Sequence, residues 1–323
     1  AAGGGQRAGL APWAIRLEAV AGSMQMVRSM RGAPRDQGLM SANTPMPHSR
    51  RGRRIDGGNS FATRIGDIAI VPVMGPLVSR FNWSYWSYDE IVNDLRMVGD
   101  MGDIKGVILD VDSPGGMVSN VDSVPEEIAR LRKKKPVVAH IGGLGASAAY
   151  WVSAAAESVV ADKTALVGSV GALIRYVDME GILTRLGANV VEAIATQSPN
   201  KRLSRDTPEG MAELQAIVDD GGEMFIDSLI ENRGVSRDTV LADYGQGLVF
   251  PASEALSRGL IDEVASFEST VAAMAARVGT SFIFAGAASA ISETKETQIM
   301  DLTKLKAEHP DLVAAIAQET MQA

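Results

Sequence analysis

Gly106-Val107-Ile108-Leu109-Asp110-Val111 and Val137-Val138-Ala139-His140-Ile141 are apolar runs of strand length, and each ends at a glycine-rich turn that leads into helical spacing. Near-continuous apolar runs suit strands covered on both faces, as in a mostly parallel sheet flanked by helices. The pattern repeats on either side. Ile68–Val73 reads as a strand, Tyr88–Val98 as a helix, Val124–Lys134 as a helix, and Ala148–Ala156 as a buried helix of small residues. Ser158–Ala161 and Val167–Ile174 read as strands, and Thr207–Asn232 as a long helix. Leu248–Phe250, Ser253–Gly259 and Ile261–Val264 close with strand, helix and strand. Alternation at this spacing predicts an α/β core of repeated βαβ units.

The flanks read differently. Residues 1–60 form an extension in which Trp13–Val20 predicts a short amphipathic helix, and the Pro-, Gly-, Ser- and Arg-rich part from Arg31 to Asn59 reads as a disordered linker. The core spans 61–267. Residues 268–299, rich in alanine, read as a small-residue linker, and 300–323 as the start of an amphipathic helical tail interrupted at Pro310. Arg132-Lys133-Lys134-Lys135 suits a helix C-terminus better than a binding patch. Phe81, Trp83, Tyr85 and Trp86 form an aromatic group that fits a cleft lining, a subunit contact or the core.

Composition removes several chemistries. With no cysteine there is no disulfide, thiolate nucleophile or Cys-based zinc site. A net charge of −8 argues against a general nucleic-acid binder. No apolar stretch is long enough for a membrane span, and the first residues lack the basic-then-apolar order of a secretory signal.

What remains points to a hydroxyl. In Gly142-Gly143-Leu144-Gly145-Ala146-Ser147-Ala148-Ala149-Tyr150, one serine stands where a strand turns into a helix, beside unpaired backbone N–H groups. That suits a nucleophile whose attack creates an oxyanion. Asp110-Val111-Asp112-Ser113-Pro114-Gly115-Gly116 makes a second loop beyond a strand's carboxyl end, where ligands bind in α/β sheets. Alone it also fits a plain tight turn. A serine needs a base. Of the three histidines, His48 lies in the arm, His309 in the tail, and His140 on the incoming strand seven residues before Ser147, where it fits a packing role. A Ser-His-Asp triad within the core is disfavoured. Lysine is the other choice, a base when desolvated. Lys163 sits in a polar turn and Lys201 in a loop after Val190–Ile194. Spacing does not choose between them.

Gly145-Ala146-Ser147-Ala148-Ala149-Tyr150, Ser113-Pro114-Gly115-Gly116 and Val167-Gly168-Ser169-Val170-Gly171 together resemble the signal peptide peptidase A family of Ser-Lys peptidases, in order and spacing from about residue 65 to 265. The resemblance implies the fold of the Clp protease and crotonase superfamily. It implies Ser147 as nucleophile and Lys201 as general base, with the backbone N–H groups of Gly116 and Ala148 as oxyanion donors and Ser169 as a possible supporting hydroxyl. The family pattern has a glycine before its lysine, whereas this chain reads Ser198-Pro199-Asn200-Lys201. Within the family the chain is more similar to the capsid assembly proteases of tailed phages. Pro12-Trp13-Ala14-Ile15 resembles their opening, and Leu302–Leu312 resembles a junction to a helical scaffold, with Met300 suited to an internal start.

The function so implied is cleavage of scaffold and capsid-associated proteins, and of the chain itself, inside a procapsid in the host cytoplasm. No cofactor, metal or nucleic acid is implied, and a homo-oligomeric ring or dome is. A cellular signal-peptide peptidase, an acyl-CoA enzyme of the crotonase type and a non-catalytic scaffold protein are the rival readings.

Overall fold

The computed structural model describes residues 13–15, 53–55, 60–81, 85–175, 180–187, 189, 191–202 and 207–280. His48, Trp83, His309, Met300, the linker from 281 and the tail lie outside these residues. Contacts divide the chain into 1–280 and 281–323.

The strands are β1 (Trp13–Ile15), β2 (Arg53–Arg54), β3 (Thr63–Ile65), β4 (Ile68–Met74), β5 (Leu77–Val78), β6 (Trp86–Ser87), β7 (Gly106–Ser113), β8 (Gly115–Met117), β9 (Val137–Ala146), β10 (Ser158–Ala161), β11 (Leu166–Gly168), β12 (Val249–Pro251) and β13 (Glu263–Val264). The helices are α1 (Tyr88–Asp100), α2 (Ser123–Arg132), α3 (Ala148–Ala154), α4 (Glu180–Arg185), α5 (Pro208–Arg233), α6 (Arg237–Asp243), α7 (Ala252–Ser257) and α8 (Phe267–Val278).

The main sheet runs β12-β11-β9-β7-β4-β3-β2. Its centre is parallel, with Ile70 opposite Ile108 and Ile108 opposite Val138, and its margins are antiparallel at β11–β12 and β3–β4. The fold is therefore α/β with a mixed, mostly parallel sheet. β9 is long enough to serve two partners in turn. Val138–Ile141 lie beside β10, and Leu144–Ala146 lie beside β11. A smaller sheet, β1-β8-β5-β6, carries the second glycine loop.

Side chains of a strand alternate between faces. Ala69, Val71, Val73, Val107, Leu109, Val111, Ala139 and Ile141 share one core cluster with Ile91 and Leu95 of α1 and Ile128 of α2. The intervening Ile68, Ile70 and Ile108 are equally buried. α8, which packs on β4, β7 and β9, covers that second face. Its Phe267, Val271 and Met274 are buried. Residues 268–278, read above as linker, thus complete the core, because alanine spacing that looks featureless in sequence lets a helix approach a sheet closely.

The ends of the helices follow their sequences. Ser87 and Glu90 form a reciprocal cap on α1. Thr207 caps α5, Pro208 opens it, and Gly234 closes it at φ 64°. The basic cluster after α2 does cap helices, but mostly other ones. Lys135 Nζ donates to the carbonyls of Val98 and Met101 at the end of α1, at 2.7 and 2.6 Å. Arg132 donates to Ala155 beyond α3 at 3.0 Å.

Three further local readings change. Trp13–Ile15 is a strand and not the start of a helix. The glycine stretch Gly142–Ala146 continues β9 and is not a turn. The strand expected over Val167–Ile174 stops at Gly168. Of the aromatic group, Trp86 is buried with its indole N–H donating to Pro72, while Phe81 is exposed.

Candidate active site

Ser147 follows the last residue of β9 and precedes α3, with φ 55° and ψ −127°. This lies outside the regions an L-residue favours and costs about 1–3 kcal/mol, held only because the surroundings fix it. Both sides are fixed. Ser147 N–H donates to Gly168 O at 2.8 Å, and Ser147 O accepts from Trp151 N–H at 3.0 Å, which starts the helix. The side chain makes no capping bond, so the hydroxyl is not committed to the helix. α3 is buried throughout. Its Trp151 stacks on Phe225 of α5 with ring centres 4.5 Å apart and planes 9° from parallel. The Ala148 N–H, one residue on, belongs to the first turn and has no acceptor within its helix.

The neighbouring strand places Ser169 beside this turn. Ala146 pairs with Gly168 in the parallel ladder, so Ser147 and Ser169 each stand one residue past it. Ser169 is also at positive φ, 58°, and its N–H donates to Leu248 O at 2.6 Å. That bond turns the chain and ends the strand early. Gly168 has to be glycine, since at φ +131° a Cβ would stand 2.6 Å from Leu248 O.

On the other side lies the loop after β7. Ser113 Oγ donates to Gly75 O at 2.6 Å and accepts from Gly115 N–H at 3.1 Å. Gly75 N–H returns a bond to Asp112 O at 2.9 Å. Gly116 sits so close under β5 that a Cβ would be 2.0 Å from Leu77 O. Tyr88 Oη donates to Met117 O at 2.6 Å, and burial pushes this phenol above its usual range, so it stays a donor. Asp112 Oδ1 accepts from Leu144 N–H at 3.0 Å and so ties the end of β7 to the glycine stretch of β9. α3 packs against β8. The fold therefore brings Ser147, Ala148, Gly116 and Ser169 to one place. Sequence reasoning had not singled out Ser113, Asp112 or Tyr88 as positioning groups. Ser113 carried a signal, a small hydroxyl at a strand end just before Pro-Gly-Gly, whereas Tyr88 carried none.

The bases are less concentrated. His140 is buried on the α8 face, its Nδ1 3.0 Å from Thr270 Oγ1 and its ring edge-on to Phe267. Its Nε2 lies 3.6 Å from Asp162 Oδ2. It packs against α8. Lys163 is exposed in the β10–β11 turn. Lys201 lies in a single 3-10 turn, Pro199–Arg202, and is exposed. Among the described residues no hydrogen bond joins it to Ser147. No three His, Asp or Glu side chains among the described residues are grouped to hold a metal ion, and no described helix is long and apolar enough to cross a membrane.

An α/β domain that holds a strained serine between two backbone-lined loops has the form of a serine hydrolase. Residues 129–281 match Peptidase family S49. The chain is similar to Protease 4 of Haemophilus influenzae, 28% identical over 63% of this chain and 34% of that protein. It is equally similar to Capsid assembly protease C of Escherichia phage lambda, 28% identical over 64% of this chain and 48% of that protein. The chain thus spans about a third to a half of the length of these relatives. A solved ClpP1 mutant from Listeria monocytogenes aligns over 62% of this chain and 92% of its own, with a TM-score of 0.42 and 13% identity.

Proposed function

We propose that the chain is a serine endopeptidase in which Ser147 is the nucleophile and Lys201 the general base. The carrying observation is Ser147 itself, strained at positive φ with its backbone fixed on both sides and its hydroxyl unused by the helix. Neutral Lys201 takes the proton of Ser147 Oγ, which attacks the scissile carbonyl. The N–H groups of Ala148 and Gly116 hold the oxyanion. Lysine returns the proton to the leaving amine, and water hydrolyses the acyl-enzyme.

A lysine works as a base when burial strips its ammonium of water. Lys201 is exposed in the single chain, and so are Ile182, Leu183, Leu186, Val191 and Ile194, with Met211, Ile217 and Met224 of α5. So much apolar surface fits a contact between copies. In a ring or dome, that contact covers this face and brings Lys201 to a serine.

The substrates we propose are scaffold and capsid-associated proteins of a tailed phage, together with the chain itself, cut within the procapsid. The likeness to the phage lambda protease and the scaffold-like sequence of 300–323 support this. The likeness to Protease 4, at the same identity, supports the second reading, a cellular peptidase acting on signal peptides. The test is incubation of the purified chain with a helical scaffold protein and, separately, with signal peptides. Ser147→Ala and Lys201→Ala should both lose cleavage. Cleavage of signal peptides alone transfers the proposal to the second reading. Unchanged cleavage by Ser147→Ala refutes the mechanism.

A further inference from the structure

We propose that Trp13–Ile15 is an intramolecular occupant of one edge of β8 and competes there with an extended substrate peptide. β8 lies between β5 and β1 in the small sheet. β1 runs antiparallel to it, Trp13 opposite Met117, Ala14 opposite Gly116 and Ile15 opposite Gly115. The contacted backbone is thus that of the loop beside Ser147, centred on Gly116. The other edge of β8 is filled by β5, with Leu77 opposite Gly116. The edge that β1 covers is therefore the one open to an extended peptide, and pairing with it satisfies main-chain groups without regard to sequence. Two glycines in β8 put no side chains in the way of an approaching strand.

The tether permits the contact. Residues 16–52 separate β1 from β2, and that many residues reach about 120 Å when extended. Being part of the same chain presents the segment at an effective concentration on the order of 1 mM. A strand that binds with an intrinsic Kd of about 0.1–1 mM then weakens any competing peptide about two- to tenfold.

The inference rests on the peptidase reading for its meaning, but its test does not need catalysis. In full-length Ser147→Ala protein, Ala14→Pro and Ile15→Pro are introduced separately. Strand N–H groups alternate in direction, so one of the two prolines removes a donor facing β8. Hydrogen exchange at whichever of Gly116 and Met117 has its N–H facing β1 should speed up in that variant. A fluorescent peptide Ala-Pro-Trp-Ala-Ile-Arg, copied from residues 11–16, should bind it two- to tenfold more tightly than the parent. Unchanged exchange in both variants overturns the occupancy, and faster exchange with unchanged peptide affinity overturns the competition. In the catalytically intact chain the same proline should lower KM by that factor and leave kcat alone. Absence of all cleavage in that chain would count against the peptidase reading and leave the exchange and binding results standing.

Discussion

Replacing Gly116 by alanine puts a methyl group 2.0 Å from the carbonyl oxygen of Leu77 and 2.6 Å from its carbonyl carbon and Cβ. An ordinary contact needs about 3.2 Å or more, so β5 and β8 have to separate by roughly 1 Å. Neither neighbour is a side chain that can swing away. The loop bearing the Gly116 N–H therefore shifts relative to Ser147. A misplacement of about 1 Å costs on the order of 100-fold in rate, and complete loss of an oxyanion donor about 100- to 1,000-fold. Overpacking should lower stability by only about 1–3 kcal/mol. The assay is kcat on a fluorogenic peptide, with thermal unfolding measured on the same sample. Gly222→Ala is the control. Its Cβ meets nothing within 4 Å, so kcat should hold and α5 should gain about 0.5–1 kcal/mol. A folded Gly116→Ala protein with kcat within threefold of the parent would refute the placement of the oxyanion at β8.

Ser113→Ala removes the bonds to Gly75 O and from Gly115 N–H; kcat should fall about 10- to 100-fold with KM little changed, and an unchanged kcat would relieve Ser113 of any positioning role. Trp151→Ala takes away the stack on Phe225 that seats α3, and chemical denaturation should show a loss of about 3–5 kcal/mol. Burial pushes the Asp94 carboxyl up to about 6 from 3.8, although Phe61 N–H donates to both its oxygens. Between pH 4 and 6 the folded chain then keeps a proton that the unfolded chain has released. Stability from this group is complete below pH 4 and falls as pH rises through 6, by about 3 kcal/mol in total. In Asp94→Asn that part of the slope should vanish from urea titrations run across the window.

The central elements could be read directly from the chain. Ile68–Val73, Gly106–Val111 and Val137–Ile141 were legible because strands covered on both faces need unbroken apolar runs, and a short period carries its own signal. Ser147 was legible for a similar reason, since a serine among glycines and alanines at a strand-to-helix junction is a local pattern. The errors lie where contacts at long range override local preference. Gly142–Ala146 looks like a turn, yet β11 supplies a ladder that keeps it extended. Val170–Ile174 looks like a strand, yet Leu248 O captures Ser169 N–H and turns the chain. The alanines after 267 look like a linker until β4, β7 and β9 offer a face to cover.

The sequence by itself determined an α/β core, a serine at the end of β9 and the exclusion of cysteine chemistry, because those follow from residue type and near-neighbour order. It also disfavoured a core Ser-His-Asp triad by histidine count. Only the tertiary structure decided that Ser169 stands beside Ser147, that Ser113 and Tyr88 hold the second loop, and that Trp13–Ile15 lies along β8. Each of these joins residues far apart in the chain through backbone register or a single hydrogen bond, and neither has a period that a sequence can display. Lys201 carries no local signal for the same reason: a lysine becomes a base through what surrounds it, and in the single chain Lys201 is exposed.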